Sequence, residues 1–321
     1  MLTVLIVAIT VILGGRLAAA APSGLRGIAN GAHVPGSSAA ASAGSDPTSA
    51  PLPTPVPLTQ VVYAAGDLSD CPGAVPAVVD LIRDSQSPIL ALGDIVHPTG
   101  RPEEYANCFD PTWQDVKARL RPVPGNHDYQ TPGAVGYYEY FGDRAGDPSR
   151  GYYSFNIGWW HIVALNSICG PIGGCQDGSS QIQWLTEDLA AHPTSCTLAY
   201  WHHPRFASGN GAAVRRTTTL WRTLYEAGVD LVLNGHDHDY ERFAPMDPAG
   251  RLDGERGIRQ FIVGTGGANL TRRERVAENS EVWTNAHHGI LELTLHHDGY
   301  AWRFLAADGG TVIDRGTGSC H

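Results

Sequence analysis

Each thing this chain lacks removes a class of function. None of its six cysteines forms a C-x-x-C pair, so a structural zinc site built from paired thiolates is not expected. No H-E-x-x-H occurs, and with it goes the helix face on which a zinc peptidase holds its metal and base. Positive charge is in deficit: the formal net charge is −10, which argues against nucleic acid or an anionic membrane as the main partner. An anionic substrate would have to be drawn in by a local cation, not by the field of the whole molecule. Long apolar runs are missing too. Leu2 to Leu13 is apolar except for Thr3 and Thr10, short of the roughly 20 residues that span a bilayer. Gly264-Thr265-Gly266-Gly267 is rich in glycine but opens no βαβ unit, so it is not a dinucleotide fingerprint. There is no internal repeat.

The apolar start is followed by Gly14-Gly15-Arg16 and the small-residue run Ala18 to Ala21. This resembles a signal peptide with a cleavage site near Ala20 or Ala21. The segment ahead of the apolar run carries no Lys or Arg, which leaves an uncleaved N-terminal anchor as the alternative to export with cleavage. Residues 22–58 are rich in Ala, Ser, Gly and Pro and end in Pro51-Leu52-Pro53-Thr54-Pro55-Val56-Pro57. Such a stretch cannot bury a core and reads as a linker that stiffens toward polyproline II. The expected organisation is a leader over 1–21, a linker over 22–58 and a folded region over 59–321. All six cysteines lie in that last region, and an even count in an exported chain favours disulfides, with about 15 pairings open. Cys169 and Cys175 flank a Gly-Pro loop and could close it. Cys71 with Cys108, and Cys196 with Cys320, are the expected remaining pairs.

What is present is a recurring device. Val229 to Leu233 reads as a buried strand and ends at Asn234-Gly235, a turn signal. His236 and His238 follow, two residues apart. In extended backbone alternate side chains point the same way, so both imidazoles can converge on one point. Four other strands end in a similar way. Val61 to Ala65 stops at Gly66-Asp67, and Pro88 to Leu92 at Gly93-Asp94, with His97 just beyond. Arg121 to Pro124 stops at Gly125-Asn126-His127-Asp128, and Thr197 to Trp201 at His202-His203-Pro204. Taken alone, His236 and His238 are as well explained as exposed loop histidines. The matching groups at the other strand ends decide for metal, because imidazole is the commonest protein metal ligand and α/β folds place ligands at the ends of strands.

Between these points the chain predicts helices over about Ala74 to Asp84, around Pro102 to Leu120, over Ser180 to Ala190 and over about Val214 to Ala227. Tyr152 to Asn166 reads as antiparallel strands turning near Gly158. Its tryptophans and tyrosines are assigned to packing, and His161 to a structural role. Gln260 to Val263, Ile290 to Leu295 and Ala301 to Ala306 alternate as strands and are expected to complete a second sheet.

The strand ends together offer Asp67, Asp94, His97, Asn126, His127, His202, His236 and His238. Mixed carboxylate, imidazole and amide donors suit Zn, Fe or Mn better than Ca or Mg. They are too many for one tetrahedral ion, while two ions sharing a carboxylate would use them all. In order and spacing these motifs resemble the calcineurin-like metallophosphoesterase superfamily, and V-L-N-G-H-D-H-D-Y-E-R is especially similar to its purple acid phosphatase branch. The resemblance covers about 59–310. It implies an α/β fold, with two mixed sheets flanked by helices in four layers. It also implies a binuclear phosphoesterase in which a metal-bridging hydroxide attacks phosphorus in line. Residue by residue, one divalent ion would take Asp67, the bridging Asp94, His97 and His238. The other would take Asp94, Asn126, His202 and His236. His127 would contact the phosphate and assist the leaving group, with Asp128 orienting it.

The chain departs from that branch in two places. His97 stands where an iron-ligating tyrosine is expected. Replacing an anionic tyrosinate by neutral imidazole removes one negative charge, so two divalent ions would leave the residual charge that a mixed-valence pair leaves with tyrosinate. The two phosphate-gripping histidines of plant members are replaced by Gly211-Ala212. This leaves His203, Arg205 and Asn210, with Arg215 and Arg216, as candidate substrate contacts. The expected activity is hydrolysis of a small phosphomonoester by an exported enzyme, with membrane contact only through an uncleaved leader. A phosphodiesterase on the same metals is the alternative, and a metal-stabilised binding protein is the third reading.

Overall fold

The computed structural model describes residues 59–71, 78–209 and 215–321. Among them are thirteen strands: β1 Thr59–Ala65, β2 Ile89–Ala91, β3 Leu120–Pro122, β4 Tyr153–Ile157, β5 Trp160–Ala164, β6 Cys196–Tyr200, β7 Leu231–Asn234, β8 Tyr240–Phe243, β9 Arg259–Val263, β10 Ser280–Thr284, β11 Gly289–His296, β12 Gly299–Ala306 and β13 Val312–Ser319. They form two sheets, ordered β13-β12-β11-β1-β2-β3 and β10-β8-β9-β7-β6-β5-β4. In the first, β1, β2 and β3 are parallel, and in the second so are β5, β6, β7 and β9; the outer strands are antiparallel.

Period-two alternation explains why the second sheet is covered on both faces. Leu198, Tyr200, Leu231, Leu233, Phe261 and Val263 point into the core shared with the first sheet. Their neighbours Ala199, Val232 and Ile262 point the other way, onto Leu185, Leu220, Trp221 and Leu224 of the helices Ser180–Ala191 and Thr218–Glu226. Each fully buried Leu or Trp here contributes on the order of 2 kcal/mol. The helical turns between Pro102 and Arg119 and the helix Val135–Phe141 add Phe109, Trp113, Tyr137 and Phe141 to the same buried cluster. The two-sheet α/β architecture is as expected.

Several assignments change. Gln260 to Val263 joins the second sheet, but the strands at Ile290 and Ala301 join the first, where β11 pairs with β1 through Tyr63 and Glu292. Alternation marks a strand without naming its partner, and β1 has β2 on one side and this edge free on the other. Strands β8, β10 and β13 were not expected, since their polar side chains satisfy one another instead of alternating with apolar ones. Of the helix expected from Ala74, residues 72–77 lie outside the described residues, and Val79–Leu81 is one 3-10 turn. Val214 likewise lies outside them.

The β4–β5 hairpin turns at Gly158 as anticipated. Trp160 is buried, and His161 is held between Asn156 and Asp188. The disulfides are Cys71–Cys108, Cys169–Cys175 and Cys196–Cys320, the expected pairs. No helix among the described residues is long and apolar enough to cross a membrane.

Candidate metal centre

The parallel strands of both sheets discharge their carboxyl ends toward one another. The main chain crosses between the sheets there: Gly66 N–H donates to Val263 O at 2.8 Å, and Gly266 N–H to Gly66 O at 3.0 Å. Close approach needs glycine. A Cβ on Gly125 would sit 2.1 Å from Asp94 Oδ1, and one on Gly235 2.7 Å from Asp67 Oδ2. Three of the converging residues themselves take the left-handed conformation that side chains disfavour: Asp67 (φ 56), Asp94 (φ 48) and His236 (φ 74). Each costs on the order of 1 kcal/mol, and such strain concentrates at functional sites.

The carboxylates are aimed by backbone donors. Asp67 Oδ2 accepts from His236 N–H at 2.9 Å, and Asp94 Oδ1 from His127 N–H at 2.7 Å. In each case the second oxygen turns inward. Asp67 Oδ1 lies 3.2 Å from His238 Nε2, while Asp94 Oδ2 lies 3.1 Å from His202 Nε2 and 3.5 Å from His97 Nε2.

The imidazoles are aimed by carbonyls. Nδ1 of His97, His127, His202 and His238 lies 3.2, 2.6, 2.9 and 2.9 Å from the carbonyls of Ser69, Pro98, Leu92 and Asn269 respectively. A carbonyl can only accept, so each Nδ1 carries a proton and each neutral ring offers its Nε2 lone pair to the cleft. His236 faces inward through Nδ1, 3.2 Å from His202 Nε2, and Asn126 Oδ1 stands 3.1 Å from the same atom.

This geometry tests whether the residues suit a cation. Around His202 Nε2 stand three acceptors, Asp94 Oδ2, Asn126 Oδ1 and His236 Nδ1. One proton can serve only one of them. Asp67 Oδ1 and His97 Nε2 are buried and, among the described residues, make no hydrogen bond, facing His238 Nε2 and Asp94 Oδ2 respectively. Donors at about 2.1 Å from a tetrahedral ion are spaced about 3.4 Å apart, and the separations here fall at 3.1–3.5 Å. Two donor groups result: Asp67, Asp94, His97 and His238 on one side, and Asp94, Asn126, His202 and His236 on the other. These residues fit two ions sharing Asp94.

The electrostatics agree. Burial would raise Asp94, but His202 and His97 hold its carboxyl well below the usual range. Burial would depress His202 and His238, yet Asp94 acting on the first and Asp67 on the second raise both to about 9. In the absence of an ion, protons stand in its place.

A family model described as calcineurin-like phosphoesterase matches residues 61–240 of the 321. The chain belongs to the calcineurin-like phosphoesterase family. Among curated proteins it is similar to purple acid phosphatase 15 of Arabidopsis thaliana, 26% identical over 269 residues, which cover 71% of this chain and 48% of that protein. It is also similar to the probable purple acid phosphatase 20 of the same plant, 29% identical over 166 residues, covering 44% of this chain and 38% of the relative. The chain thus spans about half the length of the curated relatives it matches. Among solved structures, the purple acid phosphatase PPD1 from yellow lupin superposes with a TM-score of 0.69 at 16% identity, covering 81% of this chain and 54% of the lupin chain. GAP50, the anchor in the inner membrane complex of Plasmodium, superposes at 0.63 with 14% identity, covering 83% and 90%. At these identities the likeness is one of fold.

Against this family background, the outcome for the remaining expected residues can be stated. Asp128 does not orient His127, whose Nδ1 is taken by Pro98 O. Its buried carboxylate instead accepts from Gly125 N–H at 2.8 Å and Tyr105 O–H at 2.8 Å, bracing the loop from behind. Burial and the Asp94 charge push that carboxyl up to about 7. Arg205 turns away as well, lying over Phe206 and donating to Pro248 O at 3.5 Å. Asn210 is outside the described residues, and Arg215 and Arg216 are exposed in a 3-10 turn.

His203 is buried, with its ring 4.3 Å from that of His236. Its Nδ1 lies 3.0 Å from Ser167 Oγ, which also accepts His203 N–H at 3.1 Å. Among the described residues Ser167 has no other acceptor for its own proton, so the hydroxyl donates to Nδ1 and the His203 proton sits on Nε2. His203 is therefore a hydrogen-bond donor, not a metal ligand.

Sequence reasoning missed Ser167, and a lone serine gave no signal. It also left Asp239-Tyr240-Glu241-Arg242 unassigned. These four residues lock the His236–His238 loop to the sheets: Asp239 accepts from Trp283 Nε1 at 2.8 Å, Tyr240 donates to Asp314 at 2.7 Å, Glu241 accepts from Ser208 N–H at 2.8 Å, and Arg242 pairs with Asp314 at 2.7 Å.

Proposed function

We propose that the protein is a binuclear-metal phosphoesterase that hydrolyses small phosphomonoesters. One observation carries this reading: Asp94 Oδ2, Asn126 Oδ1 and His236 Nδ1 all stand 3.1–3.2 Å from His202 Nε2, the spacing of ligand atoms gathered around one cation. The holders would be the two donor groups given above, for Zn, Fe or Mn. When bound, such ions supply Lewis acidity and lower the pKa of water.

The chain's own groups divide the remaining work. His127, its ring fixed by Pro98 O and partly open to solvent, would carry a second proton on Nε2 and pass it to the leaving oxygen. His203 Nε2–H and the Asn126 amide would hold a phosphate oxygen on the side of the second ion. His97, an imidazole in place of an anion, favours two divalent ions over a mixed-valence pair, so the loaded protein is expected to lack a tyrosinate charge-transfer band.

The withdrawal of Arg205 toward Pro248 favours a second reading, a phosphodiesterase, because a diester carries less charge and needs less cationic grip. Both readings are tested by loading the purified protein with Zn, Mn or Fe and comparing p-nitrophenyl phosphate with bis-p-nitrophenyl phosphate, alongside Asn126→Ala. Monoester turnover lost in the variant supports the first reading. A diester preference moves the protein to the second. Two bound metals without turnover on either substrate would overturn both.

We also propose that residues 1–21 are an export leader and 22–58 a linker to the catalytic region at 59–321. The three disulfides, bonds kept in oxidising compartments, support export.

A further inference from the structure

The segment Thr271-Arg272-Arg273-Glu274-Arg275 concentrates three guanidinium groups in a chain whose net charge is −10, and the chemistry above uses none of them. The segment is tied by hydrogen bonds to the histidine–aspartate cradle at its start and to the chain beyond His202 at its end. Ala268 N–H donates to Asp67 O at 2.8 Å, and Thr271 N–H to His238 O at 2.9 Å. Asn269 O receives His238 Nδ1–H at 2.9 Å. Beyond the arginines, Glu274 and Arg275 N–H donate to Ser208 O at 3.0 and 3.2 Å, on the chain leading from His202.

The three arginines differ in what they do. Arg275 is spent on structure, donating to Ala207 O through Nε and Nη2 at 3.3 and 3.1 Å. Arg273 lies over the Trp283 ring, 5.0 Å from its centroid, and Trp283 Nε1 is fixed at 2.8 Å by Asp239 of the metal loop itself. Stacking holds the plane of a guanidinium while leaving its donors free. Arg272 is exposed and has no hydrogen bond or ion pair among the described residues. The main chain of both residues starts one and two positions beyond a hydrogen bond to the candidate ligand His238.

We propose that Arg272 and Arg273 bind a second, non-scissile phosphate of the substrate, so that the preferred ester has a leaving group bearing a further phosphate. The inference rests on the phosphoesterase reading for the first phosphate. Two guanidinium groups match the two charges of a phosphate dianion better than the single charge of a carboxylate, and their forks bind its oxygens bidentately.

The test compares glycerol 3-phosphate, 3-phosphoglycerate and 2,3-bisphosphoglycerate on the metal-loaded protein, by phosphate release and by calorimetric binding. The bisphosphate is expected to lead glycerol 3-phosphate by about tenfold or more in kcat/KM and in affinity. The carboxylate compound should fall near the latter. In the Arg272→Ala/Arg273→Ala double variant the lead should vanish through KM, with glycerol 3-phosphate changed less than about twofold, and paired Lys replacements should keep part of it. An unchanged lead in the double variant, or equal losses on all three compounds, would overturn the assignment. Selective binding of the bisphosphate without turnover of any compound would leave the arginine assignment standing and overturn the hydrolase.

Discussion

Two clusters of histidine and aspartate can be compared in this molecule. In the metal cradle the rings of His202 and His236 stand at 75° and those of His97 and His238 at 77°, so in-plane lone pairs can cross at a common point. Away from the cradle, His161 and His192 stack at 13° with centroids 4.6 Å apart, and both reach Asp188. Lone pairs of parallel rings run side by side and do not meet at one ion. The supporting contacts differ too. In the cradle His97, His202 and His238 have the far nitrogen tied to a carbonyl and turn the near one toward the Asp94 or Asp67 carboxylate. In the outer cluster His161 has an oxygen at each nitrogen, Asn156 Oδ1 at 2.9 Å and Asp188 Oδ2 at 2.8 Å, while Asp188 also accepts from Ser154 at 2.7 Å. That is a closed hydrogen-bond clamp. Residue type is the same in both, and direction separates a site from a strut.

The largest effect expected from breaking the comparison comes from Asp94→Asn. It removes the oxygen shared by both donor groups, so metal content by elemental analysis should fall from two ions to one or none, and hydrolysis by about a thousandfold. Asp188→Asn is the matched control and should leave metal content unchanged. Equal loss of metal in the two variants would erase the distinction.

Metal loading should also release protons from one cluster alone. His202 and His238, each raised to about 9 by facing carboxylates despite burial, hold protons at pH 7 that an ion must displace. About two protons per molecule should appear on zinc addition at pH 7, and the release should fade above about pH 9, where the rings are already neutral. A release that does not depend on pH would count against these proton positions.

This contrast also marks how far the sequence was legible. Asp67, Asp94, Asn126, His202, His236 and His238 could be read because each sits on a turn directly after an apolar run, where one polar side chain is conspicuous. The groups that aim them could not. Leu92, Pro98 and Asn269 act through carbonyl oxygens, which any residue supplies, so no side chain announces the role. Asp128 was misassigned because it neighbours His127 in sequence. A 3-10 turn begins there and carries the carboxylate to Tyr105 instead. Strand β13 stayed hidden because Val312–Ser319 has little apolar alternation; Asp314 makes it by collecting Tyr240, Arg242 and Trp302.

A middle-sized effect is expected from Ser167→Ala. Without the hydroxyl, His203 Nδ1 loses its donor, the tautomer is no longer fixed, and Nε2–H is present only part of the time. KM should rise about fivefold, the equivalent of about 1 kcal/mol, with two metals still bound. Ser167→Thr should restore it. A loss of metal would instead make His203 a ligand and the tautomer assignment wrong.

The smallest functional effect belongs to the strut. Burial would raise Asp188, but His161 and Ser154 hold its carboxyl below the ordinary value. A carboxyl whose folded-state pKa is depressed contributes stability above its unfolded pKa, near 4, and loses it as pH falls through the folded value. Asp188→Asn should therefore leave kcat/KM unchanged while costing about 1–3 kcal/mol in denaturant unfolding at pH 7. The gap to the parent protein should narrow below about pH 4 as Asp188 itself takes up a proton. A gap of constant size down to pH 3 would mean that shape, not charge, holds the clamp together. The outer cluster would then differ from the cradle in electrostatics as well as in direction.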